Sequence, residues 1–153
     1  MRWILASVML FGSCLDKPDC ISQAGNTLQI AFKKIVNNSP QADTVVFYYI
    51  SAAGADSLFY RQQPVDLADT LRGTPATVAL NPFADSTEFI FHFPFEEKIL
   101  RVRYRRNFRF INENCFSEVS ITNLQVAFTD FDSVHVVQPA LFKNLTVNIE
   151  VFR

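Results

Sequence analysis

The sequence predicts an all-β protein, a two-sheet antiparallel sandwich that is immunoglobulin-like in the loose sense and has eight or nine short strands. Short runs rich in valine, isoleucine, phenylalanine and tyrosine recur along the chain, and proline, glycine or asparagine separates them. Apolar and polar residues alternate in several of these runs, as in strands with one buried face. Phenylalanine accounts for 16 of the 153 residues, which favours a packed core over a disordered chain.

Period-two alternation and turn signals place the individual strands. Leu28, Ile30 and Phe32 share one face of the first strand, and 44–50 is apolar enough for a strand buried on both faces. A helix is allowed only over 64–73, where two leucines are four residues apart. The predicted strands cover 28–33, 44–50, 57–61, 77–80, 87–95, 98–110, 119–128, 133–137 and 145–152.

Two neighbouring strands carry the strongest patterns. Phenylalanine occupies every second position from 89 to 95, and Pro94 predicts an edge or a bulge at that end. The strand over 98–110 has an apolar face and a basic face. Leu100, Val102 and Tyr104 alternate there with Arg101, Arg103 and Arg105.

The first fourteen residues predict export and lipid attachment. Arg2 precedes an apolar run over 3–11, and two small residues lead to Cys14. This layout is typical of a secretory signal, and the run is shorter than the roughly 20 residues of a membrane-spanning helix. The stretch over 10–14 resembles a bacterial lipobox, with Phe11 where smaller residues are commoner. The alternative is a buried hydrophobic N-terminus with a core cysteine.

Lipid attachment would determine domain organisation and location. We expect a lipoprotein signal peptide at 1–13, a lipidated Cys14 with its tether at 14–26, and the β-sandwich domain over 27–153. Buried acyl CH₂ groups contribute about 0.8 kcal/mol each, so two or more chains hold a protein stably at a membrane. The expected location is therefore the bacterial cell envelope, at the outer membrane. A formal net charge of −1 argues against a nucleic-acid partner.

The other two cysteines predict a disulfide bond. If Cys14 carries lipid, Cys20 and Cys115 remain as an even pair in an oxidising compartment. Their bond would close a loop of about 95 residues and stabilise the fold by roughly 4–5 kcal/mol in the chain-entropy model. The alternative is two free thiols.

Three features of the sequence are similar to those of a known protein family. They are the lipobox with a second nearby cysteine, the run over 78–91, and the segment over 104–116. They resemble a family of small bacterial cell-envelope lipoproteins catalogued as a domain of unknown function. The likeness covers the whole mature chain. It implies a cell-envelope location and supplies no activity or catalytic residues.

The basic face of the strand over 98–110 is the candidate ligand-binding surface. Arg101, Arg103 and Arg105, with Arg109 further along the same face, offer guanidinium groups that suit paired oxygens. A lipid headgroup phosphate, an acidic glycan or a carboxylate-rich partner would fit. The alternative is a solvated face whose charges oppose acids on neighbouring strands. Sugar rings would instead stack on exposed tyrosines, for which the candidates are Tyr48, Tyr49, Tyr60 and Tyr104.

The sequence contains no motif that predicts catalysis. His92, His135 and two bridged cysteines do not make a zinc site, and 130–133 lacks the glycine and glutamate of a calcium loop. We therefore expect no metal, no cofactor and no enzyme. The predicted function is a non-catalytic binding or scaffolding role with an envelope protein or glycan partner. The alternatives are a glycan- or anion-binding module and a small envelope hydrolase, which a histidine within reach of a serine and an acid would favour.

Overall fold

The computed structural model describes residues 25–52, 69–72, 75–110, 118–143 and 146–153. In these residues the chain forms strands and no helix, which confirms the all-β prediction. None of the described residues belongs to a helix that could cross a membrane. Cys14, Cys20, Cys115, Tyr60 and the predicted strand over 57–61 lie outside the described residues.

Eleven strands are present among the described residues. They are β1 (Thr27–Val36), β2 (Ser39–Ala42), β3 (Thr44–Phe47), β4 (Tyr49–Ala52), β5 (Asp69–Arg72), β6 (Ala76–Ala79), β7 (Ser86–His92), β8 (Glu97–Arg109), β9 (Glu118–Thr129), β10 (Ser133–Val136) and β11 (Ile149–Phe152).

The strands form two packed sheets, as a sandwich requires. One sheet has the order β10-β11-β1-β2, and β6 also pairs with β1 to make five strands. The other sheet has the order β4-β7-β8-β9, and β3 and β5 form a separate two-stranded ladder. Strand β1 pairs with β11 in parallel, whereas the other pairs are antiparallel. The first and last strands of the described residues therefore lie side by side in one sheet.

Aromatic side chains join the two sheets. Phe32 of β1 meets Phe91 of β7 edge-on, with ring centroids 5.9 Å apart. Phe131, which follows β9, lies 6.3 Å from Phe32 and 5.4 Å from Phe91 between ring centroids. All three rings are buried, and edge-on contacts of this kind stabilise a core beyond the area they bury.

A buried amide joins the segment after β10 to β1. The side-chain oxygen of Asn148 accepts a hydrogen bond from the backbone N–H of Gln29 at 3.0 Å. Its amide nitrogen donates to the carbonyls of Gln138 at 3.2 Å and Ala140 at 3.3 Å. These hydrogen bonds satisfy the amide of the buried Asn148 and thereby fix the path of residues 138–140 along the sandwich.

The prediction of one strand over 44–50 is wrong, because two strands in different ladders occupy this segment. Strand β3 pairs with β5, whereas β4 pairs with β7. Val45 and Phe47 are buried, and the next buried side chain is Ile50, three positions further on. The alternation of buried and exposed side chains therefore shifts by one residue between the two strands. This shift requires a break in the strand, which occurs at Tyr48.

Two further parts of the chain depart from the elements predicted from the sequence. Residues 69–72 form β5, so no helix forms in this described part of 64–73. The first strand continues to Val36 and ends in a tight turn, with Asn37 and Asn38 at φ of 51° and 61°, that leads into the unpredicted strand β2. Strand β2 is exposed throughout and therefore has no apolar alternation to predict it.

Phe95 does not lie on the core face. Phe89, Phe91 and Phe93 are buried, but Phe95 is 100% exposed. Strand β7 ends at His92, and the N–H of Phe93 then donates to the carbonyl of Glu96 at 2.9 Å. This turn rotates Phe95 away from the core.

Truncating the central ring should destabilise the protein strongly. We expect Phe91→Ala to lower the free energy of unfolding by about 3–5 kcal/mol, because it leaves a cavity between the sheets. Urea denaturation measures this loss. Phe95→Ala is the matched control and should change stability by less than about 0.5 kcal/mol, because the ring is exposed. Equal effects of the two substitutions would contradict the placement of the core.

Candidate functional site

The outward face of the β4-β7-β8-β9 sheet carries the candidate residues. Leu100 and Val102 of β8 are fully buried, and Tyr104 is 5% exposed. Because side chains alternate along a strand, the arginines between and beside them point away from the core. Arg101, Arg103 and Arg105 are all exposed.

Arg101 is paired on both sides. It lies opposite Glu88 of β7 and opposite Phe128 of β9. Its Nε donates to Glu88 Oε2 at 2.8 Å, and a second nitrogen contacts the same oxygen. The guanidinium carbon lies 6.0 Å from the centre of the Phe128 ring. For Arg101, the structure therefore matches the alternative of a charge opposed by an acid.

Arg103 and Arg105 differ from Arg101. Arg103 lies between Ser86 and Gln125, and Arg105 lies opposite Thr122, so their neighbours in register are polar and uncharged. Asp85, the next acid towards β7, pairs instead with Arg106 at 2.7 Å. Among the described residues, neither Arg103 nor Arg105 has a carboxylate partner.

A β-bulge in β9 lies beside these two arginines. The register shifts between Arg103 and Arg105, where Asn123 and Leu124 together oppose Tyr104. Asn123 has a φ of 54°, a conformation that asparagine adopts more readily than most residues. Bulges bend and twist a strand pair and often occur beside functional sites.

Tyr104 lies between Arg103 and Arg105 in β8, with its side chain on the core side of the sheet. Its hydroxyl donates to the carbonyl of Asn81 at 2.6 Å and forms a 2.8 Å hydrogen bond with the Thr87 hydroxyl. Its backbone N–H donates to the carbonyl of Asp85 at 3.0 Å. Burial raises the pKa of this hydroxyl above its ordinary value of 10.0. Tyr104 therefore anchors the loop before β7, and its buried ring cannot stack on a sugar.

Arg109 has a different setting, because it lines a pocket of about 220 Å³. Glu118 is its partner in register, and Ser120, Thr122 and Leu141 also line this pocket. Glu118 Oε2 is buried and has no hydrogen-bond partner among the residues that the structure describes. Because a carboxylate faces Arg109, this end of the basic face suits an anion less well than Arg103 and Arg105 do.

The two histidines lie in different settings. His92 forms hydrogen bonds with Ser51 through Nε2 at 3.1 Å and with Glu97 through Nδ1 at 2.8 Å. His135 is exposed on β10 and meets the Phe152 ring edge-on at 5.4 Å between centroids. The described part of the chain contains no group of three residues able to ligate a metal ion.

Sequence patterns did not single out Ser51 or Glu97. The two residues are 46 positions apart, and only the registers of β4 with β7 and of β7 with β8 bring them to one histidine.

Comparisons with known proteins assign no function to this surface. No protein-family model, curated protein or solved structure matches the chain. The likeness to the envelope lipoproteins remains a prediction from the sequence.

Tyr104 should make stability depend on alkaline pH. A buried tyrosine stays protonated in the folded state above pH 10, whereas the unfolded chain loses the proton there. Above pH 10 the unfolded state therefore binds fewer protons than the folded state. The contribution of Tyr104 to stability is complete below pH 10 and falls as the pH rises through the folded pKa. Urea denaturation between pH 8 and pH 11 measures this fall.

The variant Tyr104→Phe isolates this contribution. At pH 8 it should cost about 1–3 kcal/mol, because the Asn81 carbonyl and the Thr87 hydroxyl lose their partner. From pH 10 upward its stability should fall less steeply than that of the native protein. Tyr48→Phe is the control and should keep the native slope. An unchanged slope in Tyr104→Phe would show that this hydroxyl does not cause the alkaline loss.

Proposed function

We propose that the protein is a lipid-anchored β-sandwich of the bacterial cell envelope that binds an anionic ligand at Arg103 and Arg105. The location follows from the expected lipidation of Cys14. The site at Arg103 and Arg105 specifies the expected binding or scaffolding role as the binding of an anion. One observation supports the site most strongly. Among the described residues, Glu88 pairs with Arg101 and Asp85 pairs with Arg106, and no carboxylate there compensates the charge of Arg103 or Arg105.

Electrostatics favour an anion at this place. Residues two apart in a strand are separated by roughly 7 Å, and two positive charges at that distance in water repel by about 0.6 kcal/mol. An anion between the two guanidinium groups replaces this repulsion with two attractions. Phosphate and carboxylate oxygens also match the paired N–H groups of each guanidinium.

The neighbouring side chains complete the site. Ser86, Gln125 and Thr122 supply hydroxyl and amide groups beside the two arginines. The Thr122 hydroxyl accepts a 2.8 Å hydrogen bond from the Asn107 amide, which holds it in place. Uncharged donors of this kind can bind further oxygens of a ligand without cancelling its charge. An acidic glycan and a phosphorylated headgroup share the chemistry that this site would recognise.

Binding of charged probes by the full chain tests the proposal. Calorimetric titration would compare an oligogalacturonate, inorganic phosphate and a neutral dextran oligomer at low salt. We expect the anionic probes to bind, the dextran not to bind, and the affinity for the anions to fall as salt rises. If only the oligogalacturonate binds, the ligand is an acidic glycan. If only phosphate binds, the ligand is a phosphorylated group.

Two sets of variants separate this site from general charge effects. Arg103→Gln with Arg105→Gln should weaken anion binding by at least about tenfold, because each hydrogen bond to a charged group is worth about 1.5–3 kcal/mol. Arg101→Gln removes one positive charge, from a residue already paired with Glu88, and should change the affinity less than about threefold. Native protein that binds none of the anions, or equal losses in both sets, would contradict the proposal.

A further inference from the structure

Three polar side chains from three adjacent strands form a continuous hydrogen-bonded chain on the outward face. Ser51 of β4 contacts His92 of β7, and His92 contacts Glu97 of β8. We propose that Ser51, His92 and Glu97 form a site that hydrolyses carboxylic esters. This inference is independent of anion binding at Arg103 and Arg105, and it departs from the sequence-based expectation of a non-catalytic protein.

The distances match the roles of a nucleophile, a base and an orienting acid. Ser51 Oγ lies 3.1 Å from His92 Nε2, and His92 Nδ1 lies 2.8 Å from Glu97 Oε1. An ionised carboxylate only accepts hydrogen bonds, so Nδ1 carries the hydrogen and Nε2 accepts the serine O–H. Serine is a weak nucleophile by itself and is activated in this arrangement by the adjacent base.

The sheet holds the histidine in this orientation. Tyr49, His92 and Glu97 lie side by side in the registers of β4, β7 and β8. The Tyr49 ring stacks on the imidazole with centroids 4.0 Å apart and an interplanar angle of 24°. The His92 side chain is 16% exposed, so it is restrained but still reachable from solvent. Glu97 acts through His92 and is a positioning residue.

The surroundings of Ser51 suit an ester with an apolar acyl group. Ile90 lies opposite Ser51 in register and also opposite Ile99, and both isoleucines are partly exposed on the same face. An acyl chain can lie on them beside the serine. Strand β4 is at the end of its sheet in the described residues, so alternate N–H groups point away from β7. Such groups can donate to the oxygen of the ester carbonyl.

The reaction balances with water as the only co-substrate. Ser51 Oγ forms a bond to the ester carbonyl carbon while its proton moves to His92 Nε2. The bond from that carbon to the alcohol oxygen then breaks, and Nε2 returns the proton to the alcohol. Water next attacks the acyl group and gives its proton to Nε2. The acyl–Ser51 bond breaks, Oγ recovers the proton, and the carboxylic acid leaves.

Covalent labelling and ester hydrolysis by the full chain test the proposal. A fluorophosphonate should add one equivalent to the protein, and peptide mapping should place it on Ser51. Hydrolysis of p-nitrophenyl butyrate should fall at least about 100-fold in Ser51→Ala and in His92→Gln, as expected when a nucleophile or base is lost. Glu97→Gln should lower kcat with little change in KM, and Glu97→Asp should recover part of the rate.

Controls distinguish reactivity from a merely structural hydrogen-bond chain. Ser39→Ala, in the exposed strand β2, should retain full labelling and activity. Circular dichroism would confirm that each variant is folded. If Ser51→Ala does not fold, Ser51→Cys should be alkylated by iodoacetamide faster at residue 51 than the same variant carrying His92→Gln. No label on Ser51, hydrolysis unchanged by Ser51→Ala, or alkylation independent of His92 would overturn the proposal.

Discussion

The packing of phenylalanine rings between the two sheets is the constraint on which the rest of the structure depends. Phe32, Phe91 and Phe131 form one cluster, with centroid separations from 5.4 to 6.3 Å. Because successive side chains in a strand point to opposite faces, burying Phe91 turns Ile90 and His92 outward. Leu100 and Val102 fix the outward direction of Arg101 and Arg103 in the same way. The core therefore determines which residues are offered to a ligand.

Polar groups inside and outside the sandwich serve different purposes. The amide of Asn148 and the hydroxyl of Tyr104 are buried and hydrogen-bonded. Removing either group would leave its buried partners unsatisfied, at a cost of about 1–3 kcal/mol for each partner. The exposed pair of Arg101 and Glu88 contributes little to stability, because water screens it. Buried polar contacts thus hold the loops that shape the face. Arg103, Arg105 and the chain through His92 leave polar groups accessible on that face.

The features that could be predicted from the sequence are those that depend on the alternation of apolar and polar residues within one strand. The all-β sandwich and the outward direction of Arg101, Arg103 and Arg105 follow from residue patterns within single strands. Strand β2 has no apolar pattern, and the break at Tyr48 depends on which ladders β3 and β4 join. Long-range register has no local signature, which is why the meeting of Ser51 with Glu97 could not be predicted. The pairing of Glu88 with Arg101, which sets Arg101 apart from Arg103, depends on register in the same way.

The protonation of His92 tests most directly whether the core orders this outward face. Nitrogen-15 NMR of the histidine rings in the full chain distinguishes the two neutral forms of imidazole. The structure predicts that the neutral His92 ring carries its hydrogen on Nδ1, facing Glu97, while Nε2 accepts from Ser51. Exposed His135 should give the averaged signal of a ring that exchanges between both forms. A hydrogen on Nε2 of His92, or the same averaging as His135, would contradict the account.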